Sequence, residues 1–480
     1  MKRFSLILLI LSFFIFLLLS NKSISDNDLK SENYKVKKKL DDFLGDEIFK
    51  NAHIGFKLVK LNGEGISENN PNKNFIPAST LKAITTATTL QLYSGDFQHK
   101  TEILSNGKIE NGILKGDFVI KANGDPTFLS RYIENDIKLQ IDSAFNILKI
   151  KKIEGNIILD LSLFSPLFIH DYWNWVDIGN YYGASFLPIN FMDNTYELCI
   201  NSPKFPNRKV EIDKVNPKIP NLHFINEVVS SDVNKDNAYI YASPFSYQHL
   251  IKGSIPKNRT CFKVKGSMPE PHLRLGEWFI TTYPTIFSQS KIKLAENHIY
   301  SNHLFSLQSP KLKHIVKEIN HRSINMFAES CDFLNVKKLG SDYPLPMDNK
   351  HPIVEFWEKK GIDMGNTQIK DGSGLSRTNF ISPNVIVEIL RYSYKNEDFI
   401  NSLPRSGESG TIKSFANQKA KGKIAAKSGF LNGSVAYCGF LTSKSGEIYV
   451  FSIMVNNHGE SASKIKKRIS DLMEDIYVEL

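Results

Sequence analysis

This 480-residue chain changes character twice along its length. Residues 26–97 and 285–480 mix helix and strand patterns, whereas residues 98–284 carry short β segments divided by turns. A mixed pattern that stops and then resumes implies one domain whose chain leaves to build a second module and returns to finish the first. Length alone would suggest about three domains in a row. The pattern instead predicts an α+β domain built from 26–97 and 285–480, cut open at 98–284 by a large β-rich insertion of two subdomains.

In the outer parts, Val36, Leu40 and Leu44 share a helical spacing over Asn33–Leu44. A strand is expected over His53–Leu61, ending at the turn Asn62-Gly63. Pro77-Ala78-Ser79 then opens a helix to about Tyr93. Further on, a helix from Ile324 to Leu339 stops at Gly340. Ser382-Pro383 caps and opens another, to about Tyr394. Strands Ser434–Leu441 and Ile448–Val455 flank the turn Ser443-Lys444-Ser445-Gly446, and a helix over Ser463–Val478 closes the chain. Inside the insertion, β segments are expected at Gly112–Leu114, Asp117–Ile120 and Asn156–Asp160. The stretch 201–220, rich in Pro, Lys and Asn, reads as loop. No internal repeat is visible.

Lys2 and Arg3 precede an apolar run from Phe4 to Leu19. This is the pattern of a secretory leader, and Ser23-Ile24-Ser25 offers small residues where a signal peptidase reads. Residues 1–25 are therefore expected to be a signal peptide. The run is slightly short for a spanning helix. The alternative is an uncleaved N-terminal anchor, giving a loose membrane association. Export bears on the charge. Lys and Arg number 60 against 50 Asp and Glu, a formal +10 that favours anionic partners. Outside the cytoplasm no nucleic acid is expected as partner; a solvated lysine-rich surface, or one facing an anionic wall polymer, accounts for the charge.

Four cysteines are too few for a disulfide scaffold. Cys199 and Cys261 in the insertion, and Cys331 and Cys438 outside it, fit either disulfides, which export permits, or four buried thiols. No C-x-x-C or H-E-x-x-H occurs and the histidines show no ligand spacing, so neither metal nor cofactor is expected.

Three short motifs carry chemistry. Ser79-Thr80-Leu81-Lys82 fits S-x-x-K, as do Ser105–Lys108 and Ser254–Lys257. Only Ser79 stands at the first turn of a long apolar helix. At a spacing of three, Ser79 and Lys82 share a helical face. A desolvated lysine has a lowered pKa and can accept the serine proton. The helix N-terminus adds free N–H groups near the developing charge. A random S-x-x-K is more often a capping serine beside a solvated lysine. Ser323-Ile324-Asn325 fits S-x-N; its hydroxyl and amide can relay a proton and hold a lysine, although alone such a pair is usually a cap. Lys427-Ser428-Gly429 fits K-[ST]-G just before the hairpin. Its cation and hydroxyl can bind a carboxylate, and its glycine permits close backbone approach. Alone it could be a basic strand end.

The ordered set is far more specific than its members: it is the signature of penicilloyl-serine transferases. The chain resembles the class C low-molecular-mass penicillin-binding proteins, the D-alanyl-D-alanine carboxypeptidase/endopeptidase family with a large insertion between the first two motifs. Longer stretches carry the likeness. They include Gly116-Asp117-Phe118 through Asn123-Gly124-Asp125-Pro126-Thr127, Trp173-Asn174-Trp175-Val176-Asp177 through Tyr181-Tyr182-Gly183-Ala184, and Asn320 through Glu329. Asp371-Gly372-Ser373-Gly374-Leu375-Ser376-Arg377 and Ser409-Gly410-Thr411 complete it.

The resemblance implies a β-lactamase/transpeptidase-like sandwich, an antiparallel sheet flanked by helices. It implies a periplasmic serine peptidase acting on peptidoglycan stem peptides, with β-lactam antibiotics as covalent inhibitors. It implies Ser79 as the acylated nucleophile and Lys82 as its base. Ser323 would pass a proton to the leaving amine and Asn325 would orient Lys82 and the substrate. Lys427 and Ser428 would hold the terminal carboxylate, Gly429 would line the substrate site beside them, and the N–H groups of Ser79 and Phe430 would form the oxyanion hole. Asp177, Arg377 and Asn432 match positions lining the family's substrate side-chain pocket. Ser428 departs from the usual threonine but keeps the hydroxyl, and Phe430 is bulkier than the usual residue. Two alternatives stay open: a β-lactamase or esterase on the same scaffold, and an inert wall-binding paralogue.

Overall fold

The computed structural model describes residues 26–296, 300 and 302–480. The expected leader, residues 1–25, lies outside the described residues. The two ends of the chain meet in one sheet. Its strands run in the order Ile424–Leu431, Ser434–Thr442, Ile448–Asn456, His53–Lys60, Gly65–Asn69, all antiparallel. His53 pairs with Asn456 and Lys60 with Tyr449, so the N-terminal strand lies beside the C-terminal hairpin.

Period-two alternation sorts the side chains between two layers. Tyr449, Phe451, Ile453 and Val455 face a core closed by the helices Asp26–Leu44 and Ala462–Glu479, through Val36, Leu40, Ile465 and Ile469. Val450 and Met454 face the opposite core, built from Leu81–Leu92, Asn325–Lys338 and Pro383–Ser393. Both faces are covered, which is why the hairpin strands are apolar almost throughout. The expected sandwich, an antiparallel sheet flanked by helices, is the observed architecture.

The middle of the chain forms further sheets. One has the order Ile292–Leu294, Ile157–Asp160, Phe118–Lys121, Lys100–Ser105, Asn302–Gln308. Thr101 pairs with Leu307 and Ile157 with Ile292. The expected boundary at 284 is therefore corrected, since sheet pairing carries the middle module on to Gln308. Two three-stranded sheets lie between Thr195 and Ser267. One hydrophobic cluster, including Phe118, Phe145, Phe279, Leu198 and Ile251, runs through both groups of strands. The stretch 201–220 is also corrected: it contains the strand Glu211–Asn216, paired with Thr195–Ser202. The strand is mostly exposed and lacks an apolar alternation, so its composition hid it. Cys199 and Cys261 form a disulfide, while Cys331 and Cys438 are buried free thiols.

The two modules are not merely tethered. Phe164 and Phe186, from the middle of the chain, pack into the core beneath the helices Leu81–Leu92 and Asn325–Lys338, against Phe333 and Tyr343. The same segment carries residues 170–183 to the edge of the three motifs.

Candidate active site

Ser79 sits in a single 3-10 turn, Ala78–Thr80, that runs straight into the helix Leu81–Leu92. Ala78 has φ 48°, a left-handed conformation that non-glycine residues seldom adopt. Gly374, itself at φ +77°, lies so close that a Cβ there would stand 2.0 Å from the Ala78 carbonyl oxygen. The strained turn is thus clamped from outside. It leaves Ser79 partly accessible while Lys82 is 0% exposed.

Lys82 Nζ lies 3.0 Å from Ser79 Oγ, 2.6 Å from Asn325 Oδ1 and 2.6 Å from the Ser373 carbonyl oxygen. Ser79 is therefore not a capping serine, and Lys82 is not a solvated lysine. Burial drives the Lys82 amine down to about 7, with Asp371 and then Glu329 pulling the other way. An uncharged amine at neutral pH is thus accessible to this lysine.

The second motif straddles a helix junction. Ser323 ends the helix Leu312–Arg322 in a left-handed conformation, φ 61°, and Asn325 begins the helix Asn325–Lys338. That break turns both side chains toward the serine. Asn325 accepts from Lys82 and donates through Nδ2 to the Tyr182 carbonyl, 2.7 Å. Ser323 Oγ accepts from Lys427 Nζ at 3.2 Å. Lys427 is also fully buried, and its Nζ donates to the Ser428 carbonyl at 2.8 Å. Burial first, and the neighbouring Lys82 second, hold Lys427 well below the usual lysine value.

The third motif occupies the sheet edge. A Cβ on Gly429 would meet the Pro77 carbonyl oxygen at 2.7 Å and the Ser79 amide nitrogen at 3.1 Å. Only glycine allows this strand to lie against the serine turn. Ser428 Oγ donates to Thr411 Oγ1 at 2.7 Å, which sets a second hydroxyl beside the motif. Phe430 is 49% exposed at the outer end.

Asp177, Arg377 and Asn432 form a separate group. Arg377 Nη1 donates to the Asn432 carbonyl oxygen at 2.9 Å, so Asn432 takes part through its backbone. Burial raises Asp177 above the usual carboxylate range, opposed by Arg377 and by a hydrogen bond from Tyr182. Asp177 Oδ2 is buried and has no hydrogen-bond partner among the described residues.

Sequence reasoning assigned no role to the layer beneath. Glu329 is 0% exposed and accepts from the backbone N–H of Gly372 at 3.0 Å and of Ser373 at 2.8 Å. It also bonds His170 Nε2 at 3.0 Å. Burial works against charge on His170, but Glu329 outweighs it and the pKa is raised. Asp371 accepts from the Gly374 and Ser376 N–H groups, from Trp173 Nε1 and from Asn379 Nδ2, all within 2.6–2.8 Å. Two saturated buried carboxylates thus fix the 371–376 loop, whose Ser373 carbonyl meets Lys82. The sequence signal was present in Asp371-Gly372-Ser373-Gly374, an acid amid small turn-forming residues.

A family model for "D-Ala-D-Ala carboxypeptidase 3 (S13) family" matches residues 36–476. D-alanyl-D-alanine carboxypeptidase DacB of Haemophilus influenzae is 26% identical over 87% of this chain and 88% of its own length. A D-alanyl-D-alanine carboxypeptidase of Actinomadura is 21% identical over 89% of this chain and 82% of its own. The crystal structure of penicillin-binding protein 4 from Haemophilus influenzae superposes with a TM-score of 0.75 at 23% identity. It covers 92% of this chain and 98% of that one. That protein has also been solved in complex with a β-lactam. The chain belongs to the D-Ala-D-Ala carboxypeptidase 3 (S13) family and is a serine-type D-Ala-D-Ala carboxypeptidase.

Proposed function

We propose that Ser79 attacks the carbonyl carbon of the penultimate D-alanine of a peptidoglycan stem peptide, with Lys82 as general base. The observation that carries this reading is a fully buried Lys82 whose Nζ is 3.0 Å from an accessible Ser79 Oγ. A neutral amine has two N–H donors and one lone pair. The donors satisfy Asn325 Oδ1 and the Ser373 carbonyl, and the lone pair faces the Ser79 hydroxyl. Oxyanion charge develops between the N–H groups of Ser79 and Phe430. Ser323, bonded to Lys427, passes the proton to the leaving nitrogen as the peptide bond breaks. D-Alanine departs, and water hydrolyses the acyl-enzyme.

Lys427, Ser428 and Gly429 receive the terminal carboxylate, with Thr411 beside Ser428. An arriving anion favours the charged form of Lys427, so carboxylate binding and protonation of this lysine are coupled. Asp177 and Arg377 recognise charged groups on the stem side chain, and the free Asp177 Oδ2 supports an ammonium partner. β-Lactams acylate Ser79 as substrate mimics. The protein works in the periplasm after export on residues 1–25. Incubation with a defined pentapeptide should release D-alanine, and incubation with cross-linked dimers should release monomers. Rapid turnover of penicillin with neither product would replace this reading by that of a β-lactamase.

A further inference from the structure

A cleft of about 720 Å³ begins at Ser79, Ser323 and Ser428 and continues past Thr411. It runs between the 414–418 loop and the helix Ala462–Glu479. The stacked rings of Phe415 and Tyr437, with centroids 4.2 Å apart, lie along it. Such a volume suits a ligand far larger than free D-alanine. Its position decides which part of the substrate it meets. Ser428 and Thr411 stand where the terminal carboxylate is bound, and the residue bearing that carboxylate is the leaving group. What lies beyond them is leaving-group space.

Charge in this cleft is uneven. Lys467 pairs with Asp471 at 2.7 Å, and Glu474 accepts from the Gln418 N–H at 2.8 Å. Lys464, next on the helix, pairs with Glu460. Lys466 is half-buried and has no carboxylate partner among the described residues; its Nζ lies 4.6 Å from the centroid of the Phe430 ring. Burial lowers its pKa from the usual lysine value. A cation over an aromatic face, in a cleft open to the reacting serine, is placed to take an anion without first breaking an ion pair.

We propose that Lys466 is a specificity-determining residue for the leaving group, binding a carboxylate of an acidic peptide attached to the leaving amine. This rests on the reading of Ser79 and Ser428 given above. The enzyme would then favour substrates whose leaving group is a second stem peptide over those that release a single D-alanine.

The test compares kcat/KM for three substrates sharing one acyl part. The first is a short peptide that releases D-alanine. The second is a cross-linked dimer that releases an acidic stem. The third is that dimer with the leaving stem's outer carboxylates amidated. Lys466→Ala should lower the dimer-to-short ratio on the order of tenfold, chiefly through KM of the dimer, and Lys466→Arg should retain it. In the wild-type protein, amidation alone should lower the dimer preference by a similar factor, which needs no variant to fold. An unmoved ratio in both experiments, or an equal loss on the amidated dimer in Lys466→Ala, overturns the proposal. Labelled penicillin on wild-type protein separates the two levels. No adduct at Ser79 defeats the underlying reading, whereas an adduct with an unmoved ratio defeats only the role of Lys466.

Discussion

Burial leaves the Lys82 amine able to be uncharged near neutral pH. In the proposed reaction the neutral form acts as base, and its fraction grows as pH rises through about 7. Acylation by labelled penicillin should therefore rise about tenfold per pH unit below that value and level off above it. A flat profile from pH 5 to 9 would remove Lys82 from the proton transfer. Lys82→Ala should slow acylation by at least ~10³-fold while the protein still folds. At this scale much was legible in the sequence. The members of each motif are close neighbours, and S-x-x-K on a helix fixes its own geometry. Glu329 and Asp371 received no role because their action lies in partners far along the chain. Glu329 binds the backbone of Gly372 and Ser373, and Asp371 reaches back to Trp173. Asn432, expected to line the pocket, meets Arg377 through its carbonyl, a backbone contact that residue type does not announce.

Between elements, the decisive contact is the edge strand Ile424–Leu431 against the serine turn. Gly429 sets that spacing, because a Cβ there would press on the Pro77 carbonyl at 2.7 Å and on the Ser79 amide nitrogen at 3.1 Å. Gly429→Ala should move the strand away from the nucleophile. Acylation should fall on the order of 10–100-fold while unfolding free energy changes by no more than about 1 kcal/mol. An unchanged acylation rate would mean that the approach of strand to turn is not what prepares the site. Elements with strong local signals were legible: Ser382 caps Pro383–Ser393 as expected, and the hairpin strands follow their alternation. Those defined by pairing with another strand, with no apolar alternation of their own, were not. Glu211–Asn216 forms a strand only beside Thr195–Ser202, and Asn302–Gln308 belongs to the middle module only because it pairs with Lys100–Ser105.

Across the whole molecule, the middle of the chain packs on the outer parts through an aromatic contact. Phe186, 0% exposed, lies 5.5 Å from Phe164 and 5.7 Å from Phe333 between ring centroids. Phe186→Ala should cost about 3–5 kcal/mol of unfolding free energy, read by urea titration. A loss below about 1 kcal/mol would show that this contact does not hold the modules together. The junction also carries Tyr182 and Asp177 to the site, so the inserted module shapes the pocket as well as filling the gap between motifs. Every step of the proposed reaction starts from Ser79 as nucleophile. Mass mapping after incubation with penicillin tests it most directly. The expected result is one covalent adduct per chain, on the peptide containing Ser79, and none in Ser79→Ala. An adduct elsewhere, or none on folded wild-type protein, would contradict it.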